Sequence, residues 1–294
     1  MSPFSQILDG NEIARKYLEN ASREIQELNK ESGYRCLTLA TIQVGESKGV
    51  TLYYNYLVKL SRQLDFNLQP LKFSESDKEG DILDEISRLM NSDSVTGIMV
   101  FSPLPRKNIS DFIFLNLPPN KDVEGRTFLK SLKSHFGVYS PTALAVLTVL
   151  EATGCDLVGK EAVVIGHSDL VGKPTAVLLA DKMATVVICH KETKQLEEHV
   201  RRADIVVAAV GKPNLIHGDW IKPGAIVIDV GENIVDGKVV GDVEFETAKK
   251  HASYITPVPG GVGPVTNVML VKNLITLGKS WKIKNGNSRA GKKT

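Results

Sequence analysis

The chain has 294 residues, 42% of them hydrophobic, and sets 36 basic against 34 acidic side chains for a formal net charge of +2. That is apolar material for two cores, and the near balance of charge excludes the extreme compositions of nucleic-acid or membrane-surface binders. Three cysteines (Cys36, Cys155 and Cys189) form an odd set without metal-ligand spacing, no apolar run nears the roughly 18 residues of a span, and no basic leader opens onto an apolar stretch, so a reduced cytoplasmic protein without metal site, membrane span or signal peptide is expected.

In chain order, residues 7–31 predict an amphipathic helix, followed by a strand over 36–44, a helix around 53–64 and a strand near 68–73. A helix through 82–91 and a strand over 97–101 complete an N-terminal α/β unit. Pro103, Pro105, Pro118 and Pro119 then break regular structure before a long helix beginning near Pro141. Residues 162–166 (AVVIG) read as a short buried strand, and HSDLVGKP leads from it into the apolar-periodic run 175–181. Three more β-branched runs follow at 185–189, 204–210 and 225–230, mostly separated by segments of helical composition. This alternation predicts a doubly wound parallel sheet, which binds nucleotides in the crevice beyond the carboxyl ends of its strands.

The glycines of the first turn, Gly166 and Gly172, do not match the GxGxxG spacing, so alone they are weak evidence for a dinucleotide. The second strand ends at Cys189 and is followed by His190 and Lys191, where an NAD enzyme usually carries an acid for the ribose 2′-hydroxyl. Cations there suit a 2′-phosphate and favour NADP, although Glu192 opposes them and a solvated surface Lys191 explains that residue equally well. His190 reads either as a strand-end histidine or as part of an adenosine pocket. The segment 254–266 (YITPVPGGVGPVT) sets Pro257, Pro259 and Pro264 among Gly260, Gly261 and Gly263, with Thr256 and Thr266 adding hydroxyls. Proline stiffens such a loop and glycine lets a flat ring or a pyrophosphate reach its main chain. Asp229, at the end of a buried strand before Gly231, reads as structural rather than catalytic.

The motifs ILDGNEIA, LATIQVG, KDVEG, GHSDLVGKP, GDWIKPGAIVIDVG, KVVGDV and TPVPGGVGP run through nearly the whole chain. In wording and order they resemble the bifunctional methylenetetrahydrofolate dehydrogenase/methenyltetrahydrofolate cyclohydrolase family. The resemblance implies a folate-binding catalytic domain over residues 1–140 plus a returning helix at 268–283, a Rossmann-like NAD(P)-binding domain over 141–267, and a disordered tail over 284–294. It implies a cleft between the domains that holds folate beside nicotinamide, and a homodimer formed through the nucleotide domain. By resemblance, Tyr53 orients the pterin, and Leu57, Val100, Phe101, Ser102, Glu124, Pro259, Gly260 and Gly261 complete the substrate site. Gly166, His167, Ser168, Gly172, Pro174, His190, Lys191, Gly211, Gly231, Glu232, Gly263 and Thr266 are the cofactor-binding residues so implied.

The chain departs from its family where the chemistry concentrates. The family places a Lys four residues after the Tyr, one turn on along the same helix face; here that position is Leu57, and Lys59 lies about 200° further round at 3.6 residues per turn. The family's Gln before the PLP turn is Phe101, its pterin-gripping Asp is Glu124, and its Ser before the Tyr is Val50, with Thr51 beside it. His167 and Lys191 stand where the family often has Arg and Ser. Oxidation of a methylene bridge needs donor and acceptor held in contact, whereas hydrolysis of the methenyl product needs a water delivered and deprotonated. Leu57 and Phe101 can move no proton. The expected activity is therefore an NADP-dependent methylenetetrahydrofolate dehydrogenase, NAD not excluded, with the cyclohydrolase step reduced or absent. Three alternatives remain open: an enzyme that keeps both activities, Lys59 reaching in through a bulge in its helix; a folate- or nucleotide-binding relative without catalysis; and a dehydrogenase of another substrate.

Overall fold

The computed structural model describes residues 6–30, 36–128 and 137–290, the side chains of 282–290 excepted. In chain order the first half contains β1 (Gln6–Ile7), α1 (Gly10–Lys30), β2 (Thr38–Val44), α2 (Lys48–Leu64), β3 (Asn67–Phe73), α3 (Glu79–Asn91), β4 (Gly97–Val100) and α4 (Lys107–Asn116). The second half contains α5 (Pro141–Glu151), β5 (Glu161–Ile165), α6 (Gly172–Asp181), β6 (Thr185–Cys189), α7 (Leu196–Arg202), β7 (Ile205–Ala208), β8 (Ile226–Asp229), β9 (Asn233–Val235), β10 (Lys238–Val240), α8 (Phe245–Ala248), β11 (Tyr254–Ile255) and α9 (Val262–Ala290). Two compact units result, one of Leu18–Tyr139 with Leu270 onward, the other of the residues up to Tyr17 with Ser140–Met269.

The first unit is built on a parallel three-stranded sheet in the order β3-β2-β4. All seven residues of β2 are buried, as expected of a central strand covered on both faces. Its period of two sorts the core: Leu39 joins Leu57, Leu60, Leu64, Phe101 and Leu274 of α2, the end of β4 and α9, while Ala40, Ile42 and Val44 pack with Ile82, Ile86, Ile109 and Ile113 of α3 and α4. Gly97 opens β4 where no side chain fits, since a Cβ there would lie 2.9 Å from Leu274 Cδ1 and 3.2 Å from Val123 Cβ, both fully buried residues. Gly97→Ala is expected to cost about 1–3 kcal/mol through overpacking, read as a lowered denaturant midpoint; an unchanged midpoint would show that Leu274 yields freely.

The second unit carries an all-parallel sheet in the order β1-β11-β8-β7-β5-β6, with β9 and β10 as a separate antiparallel hairpin. Its central strands are the continuous apolar runs that a doubly covered sheet requires. From β5 the chain first runs out to β6 and then returns to β7 on the other side, so the switch point lies between β5 and β7. The helix that leads in, α5, starts where Ser140 Oγ accepts from Ala143 N and Pro141 takes the first helical position.

Three expectations need correction, and one element was not foreseen. The helix expected from Ile7 starts at Gly10 instead: Ile7 belongs with Gln6 to the edge strand β1, paired with β11, and Asp9 Oδ1 accepts from Asn11 N. The end expected at Glu31 falls outside the described residues. Among the prolines lies a helix, α4, whose Ile109 and Ile113 sit one turn apart on the buried face. The hairpin was also missed, although Asp236 and Gly237, at φ +50° and +74°, join β9 to β10. Finally, α9 runs to Ala290, past the expected tail boundary at 284; residues 291–294 lie outside the description. Among the described residues no helix is long and apolar enough to cross a membrane, and no group of three or more His, Cys, Asp or Glu is placed to hold a metal ion.

Candidate active site

Of the substrate-site residues expected in the first unit, Leu57, Phe101 and Glu124 lie close to Tyr53. α2 is an uninterrupted helix, and Tyr53 and Leu57 stand one turn apart on it. Leu57 is 0% exposed, in one apolar cluster with Phe101, and the Phe101 ring meets Tyr53 edge-on at 6.2 Å. Tyr56 stacks on Tyr53 at 6.3 Å, whereas Tyr54 is taken up by the Lys72 ammonium 4.6 Å from its ring. Burial first, then the nearby Glu124 charge, pushes the Tyr53 phenol well above its ordinary range. No bulge interrupts α2, and Lys59 is exposed. Ser102 is exposed just past β4.

Glu124 is where the sequence reading was incomplete. Its Oε2 accepts from Val100 N at 2.8 Å and from Arg126 Nε at 2.8 Å, and its Oε1 accepts from Arg126 Nη2 at 3.2 Å. The same Nη2 also donates to the Val100 carbonyl at 2.8 Å. Val100, expected at the substrate, thus has both backbone groups engaged. Burial raises the Glu124 pKa; Arg126 and the Val100 N–H pull it back. Arg126 was missed; its sequence signal is a guanidinium two residues after the acid in KDVEGR.

Pro259, Gly260 and Gly261 belong to the second unit, beyond β11. Gly261 is pressed against α1, for a Cβ on Gly10 would lie 1.6 Å from its carbonyl oxygen; Gly260, at φ +102°, accepts from Gly10 N. The expected cofactor residues all follow carboxyl ends of strands or open α6 and α9. Gly166 ends β5 at φ +122°, with a Cβ position only 2.2 Å from the Ala209 carbonyl just past β7, so it lies at the switch point itself. A Cβ on Gly172 would lie 2.0 Å from the Gly166 oxygen, which brings the first turn of α6 directly over the loop. The backbone N–H groups at that helix start are engaged within the loop itself: Val171 N and Gly172 N donate to Ser168 Oγ, Lys173 N to the Ser168 carbonyl and Thr175 N to the Val171 carbonyl, and Pro174 has none. Pro174 is buried within α6. His167 and His190 face each other at 5.4 Å past β5 and β6, and Lys191 is exposed and paired with Glu192 at 3.8 Å. Glu232 approaches the Gly263 position to 3.4 Å, and Thr266 Oγ1 donates to the Val262 carbonyl.

Behind this rim lie two buried aspartates. Asp229 accepts from Gly231 N, Asp242 N and Val243 N, and is pushed up to about 6, chiefly by burial. Asp242 accepts from Val210 N, Gly211 N and Lys212 N and from the Asn233 side chain. Gly231 and Gly241 are required because a Cβ on either would fall about 2 Å from the opposing carboxylate, 2.2 Å and 1.9 Å respectively. Asp229 is structural, as its strand-end position suggested, and Asp242 holds the loop that carries Gly211.

Two family models match this chain: the tetrahydrofolate dehydrogenase/cyclohydrolase catalytic domain over residues 8–124 and the NAD(P)-binding domain of the same enzymes over residues 140–282. The chain belongs to the tetrahydrofolate dehydrogenase/cyclohydrolase family. It is 41% identical to the bifunctional protein FolD of Caldanaerobacter subterraneus subsp. tengcongensis over 92% of this chain and 95% of that one. The bifunctional FolD of Campylobacter jejuni superposes with a TM-score of 0.87 at 37% identity, covering 94% of this chain and 99% of the other. A Trypanosoma brucei methylenetetrahydrofolate dehydrogenase-cyclohydrolase, solved with NADP and an inhibitor, superposes with the same TM-score at 34% identity over 95% and 98%.

Proposed function

We propose that the chain oxidises 5,10-methylenetetrahydrofolate to 5,10-methenyltetrahydrofolate with NADP, and that hydrolysis to 10-formyltetrahydrofolate is reduced or absent. Family membership supports the first part. The observation that carries the second is Leu57, fully buried in the apolar cluster with Phe101 beside Tyr53, at the position where the family resemblance puts the lysine that moves a proton in hydrolysis. When bound, NADP supplies the acceptor for the hydride leaving the methylene carbon. The chain's own part is positioning: Tyr53 offers a ring face or edge to the pterin and Glu124 an acceptor for its amino edge, while the side-chain-free Gly166 and Gly172 fold the loop past β5 tightly over the switch point and Gly211 lies on the loop past β7. His167, His190 and Lys191 offer donors to a 2′-phosphate, which is the ground for NADP over NAD. The fully bifunctional alternative lacks the bulge that would turn Lys59 inward.

The same reading takes the protein as a cytoplasmic homodimer acting on a small-molecule folate, without nucleic-acid or membrane partners. Its support is the near-neutral charge and the edge strand β6, which leaves Ile188 40% exposed. The test is an absorbance assay with 5,10-methylenetetrahydrofolate and NADP or NAD, following reduced nicotinamide and methenyl product separately. Reduced cofactor is expected with methenyl accumulating and decaying no faster than in the absence of protein. Accelerated decay would establish the bifunctional enzyme instead, and two flat signals from folded, NADP-binding protein would sink the reading.

A further inference from the structure

Glu124 departs from the family's aspartate, and its longer side chain does not hang free. An ionised carboxylate offers about four acceptor directions. Three are filled, by Val100 N, Arg126 Nε and Arg126 Nη2. The guanidinium is in turn fixed by the Val100 carbonyl, so acid, base and the last residue of β4 close into one ring of hydrogen bonds. Both side chains are largely shielded, at 13% and 18% exposure, which takes the pair out of the class of surface ion pairs that contribute little.

We propose that Arg126 is a positioning residue of the pterin site: it fixes Glu124 against the end of β4 and leaves one acceptor direction of the carboxylate for the amino edge of the substrate. The proposal rests on the folate reading given above and adds to it a mode of recognition. A reduced pterin is held here by one hydrogen bond and by contact with Tyr53, rather than by a carboxylate free to take two. Arg126 also favours the charged state, against a burial effect that is the larger of the two and keeps the Glu124 pKa raised. Burial alone favours the neutral acid, and the other ionisable groups near Glu124 give no help: Asp122 is of like sign, and Tyr53 is a phenol that the Glu124 charge itself pushes up. Lys121 turns its ammonium to the Ser92 carbonyl. The guanidinium is the one cation bonded to this carboxylate among the described residues.

The experiment is steady-state kinetics of wild type, Arg126→Gln and Arg126→Lys with 5,10-methylenetetrahydrofolate, between about pH 6 and pH 9, with the KM for NADP and the melting temperature as controls. For Arg126→Gln the folate KM is expected to rise about ten-fold or more near neutrality, the scale of one charge-assisted hydrogen bond, with kcat and the NADP KM little changed. Its kcat/KM for folate should acquire a limb that climbs with pH, because Glu124 without its partner must first ionise before it can accept. Arg126→Lys should abolish that limb while leaving the KM raised, since an ammonium restores charge but not the fork. Folded Arg126→Gln with wild-type folate KM and pH profile would overturn the role. So would a loss that falls equally on folate and NADP and that lysine leaves untouched, for that is general destabilisation. If Arg126→Gln does not fold, an unchanged folate KM in Arg126→Lys overturns it as well. A wild type that turns over no methylenetetrahydrofolate would sink the functional reading, and this role with it; an active wild type with indifferent variants sinks the role alone.

Discussion

Introducing Leu57→Lys together with Phe101→Gln is expected to accelerate methenyl hydrolysis by about 10²-fold or more, the usual contribution of a positioned acid/base group. The two positions lie in one cluster on the Tyr53 side of the first unit, so the new side chains would reach the same region from α2 and from the end of β4. Leu57 is 0% exposed, and an ammonium placed there is poorly solvated, which lowers its pKa toward the range useful for moving protons near neutrality. The same burial makes the change costly: losing the leucine packing removes roughly 2–5 kcal/mol of stability. Retained dehydrogenase turnover is therefore the control for a folded variant. Methenyl product that still decays at its spontaneous rate, with dehydrogenase activity intact, would show that the hydrolytic site does not lie between these residues.

Asp242→Ala should be among the most damaging single changes in the second unit. It strands three consecutive backbone N–H donors, of Val210, Gly211 and Lys212, and the Asn233 amide. Each donor left unpaired costs about 1–3 kcal/mol, and because Gly211 and Lys212 are exposed enough for water to compensate in part, the expected loss is about 3 kcal/mol. Relief of Asp229 works the other way but is minor, since burial and not the Asp242 charge is the main reason its pKa is raised. The NADP KM should rise with the instability, because Gly211 sits on the released loop. Chemical denaturation within about 1 kcal/mol of the parent would mean that the loop holds itself without the carboxylate.

Much of this was legible in the chain. β-branched runs marked the buried strands β5, β7 and β8 of the larger sheet nearly to the residue, because parallel strands covered on both faces admit little else. The glycines past the strand ends stood out as well, and the close approaches at Gly166 and Gly172 explain a spacing that matches no simple fingerprint. What escaped depends on partners far away in sequence. Ile7 looks like a helix start until β11 offers an edge to pair with. Arg126 looks like a surface cation until the end of β4 places a carbonyl within its reach. The hairpin and α4 are different: the Asp236-Gly237 turn and the Ile109/Ile113 spacing are local signals, outweighed by neighbouring prolines and by charged residues.

The pairing of β1 with β11 also orders events in time. Ile7 finds its place beside Ile255, so about 250 residues must be synthesised before that edge can close, and the entropy of closing so long a loop must be met before the contact returns anything. The strands of the three-stranded sheet, by contrast, all lie between Thr38 and Val100. On the ribosome those strands can pair early, and the face built with α3 and α4 can pack early as well, whereas the other face waits for Leu274 of α9, which follows β11, the strand that docks beside the waiting N-terminal strand.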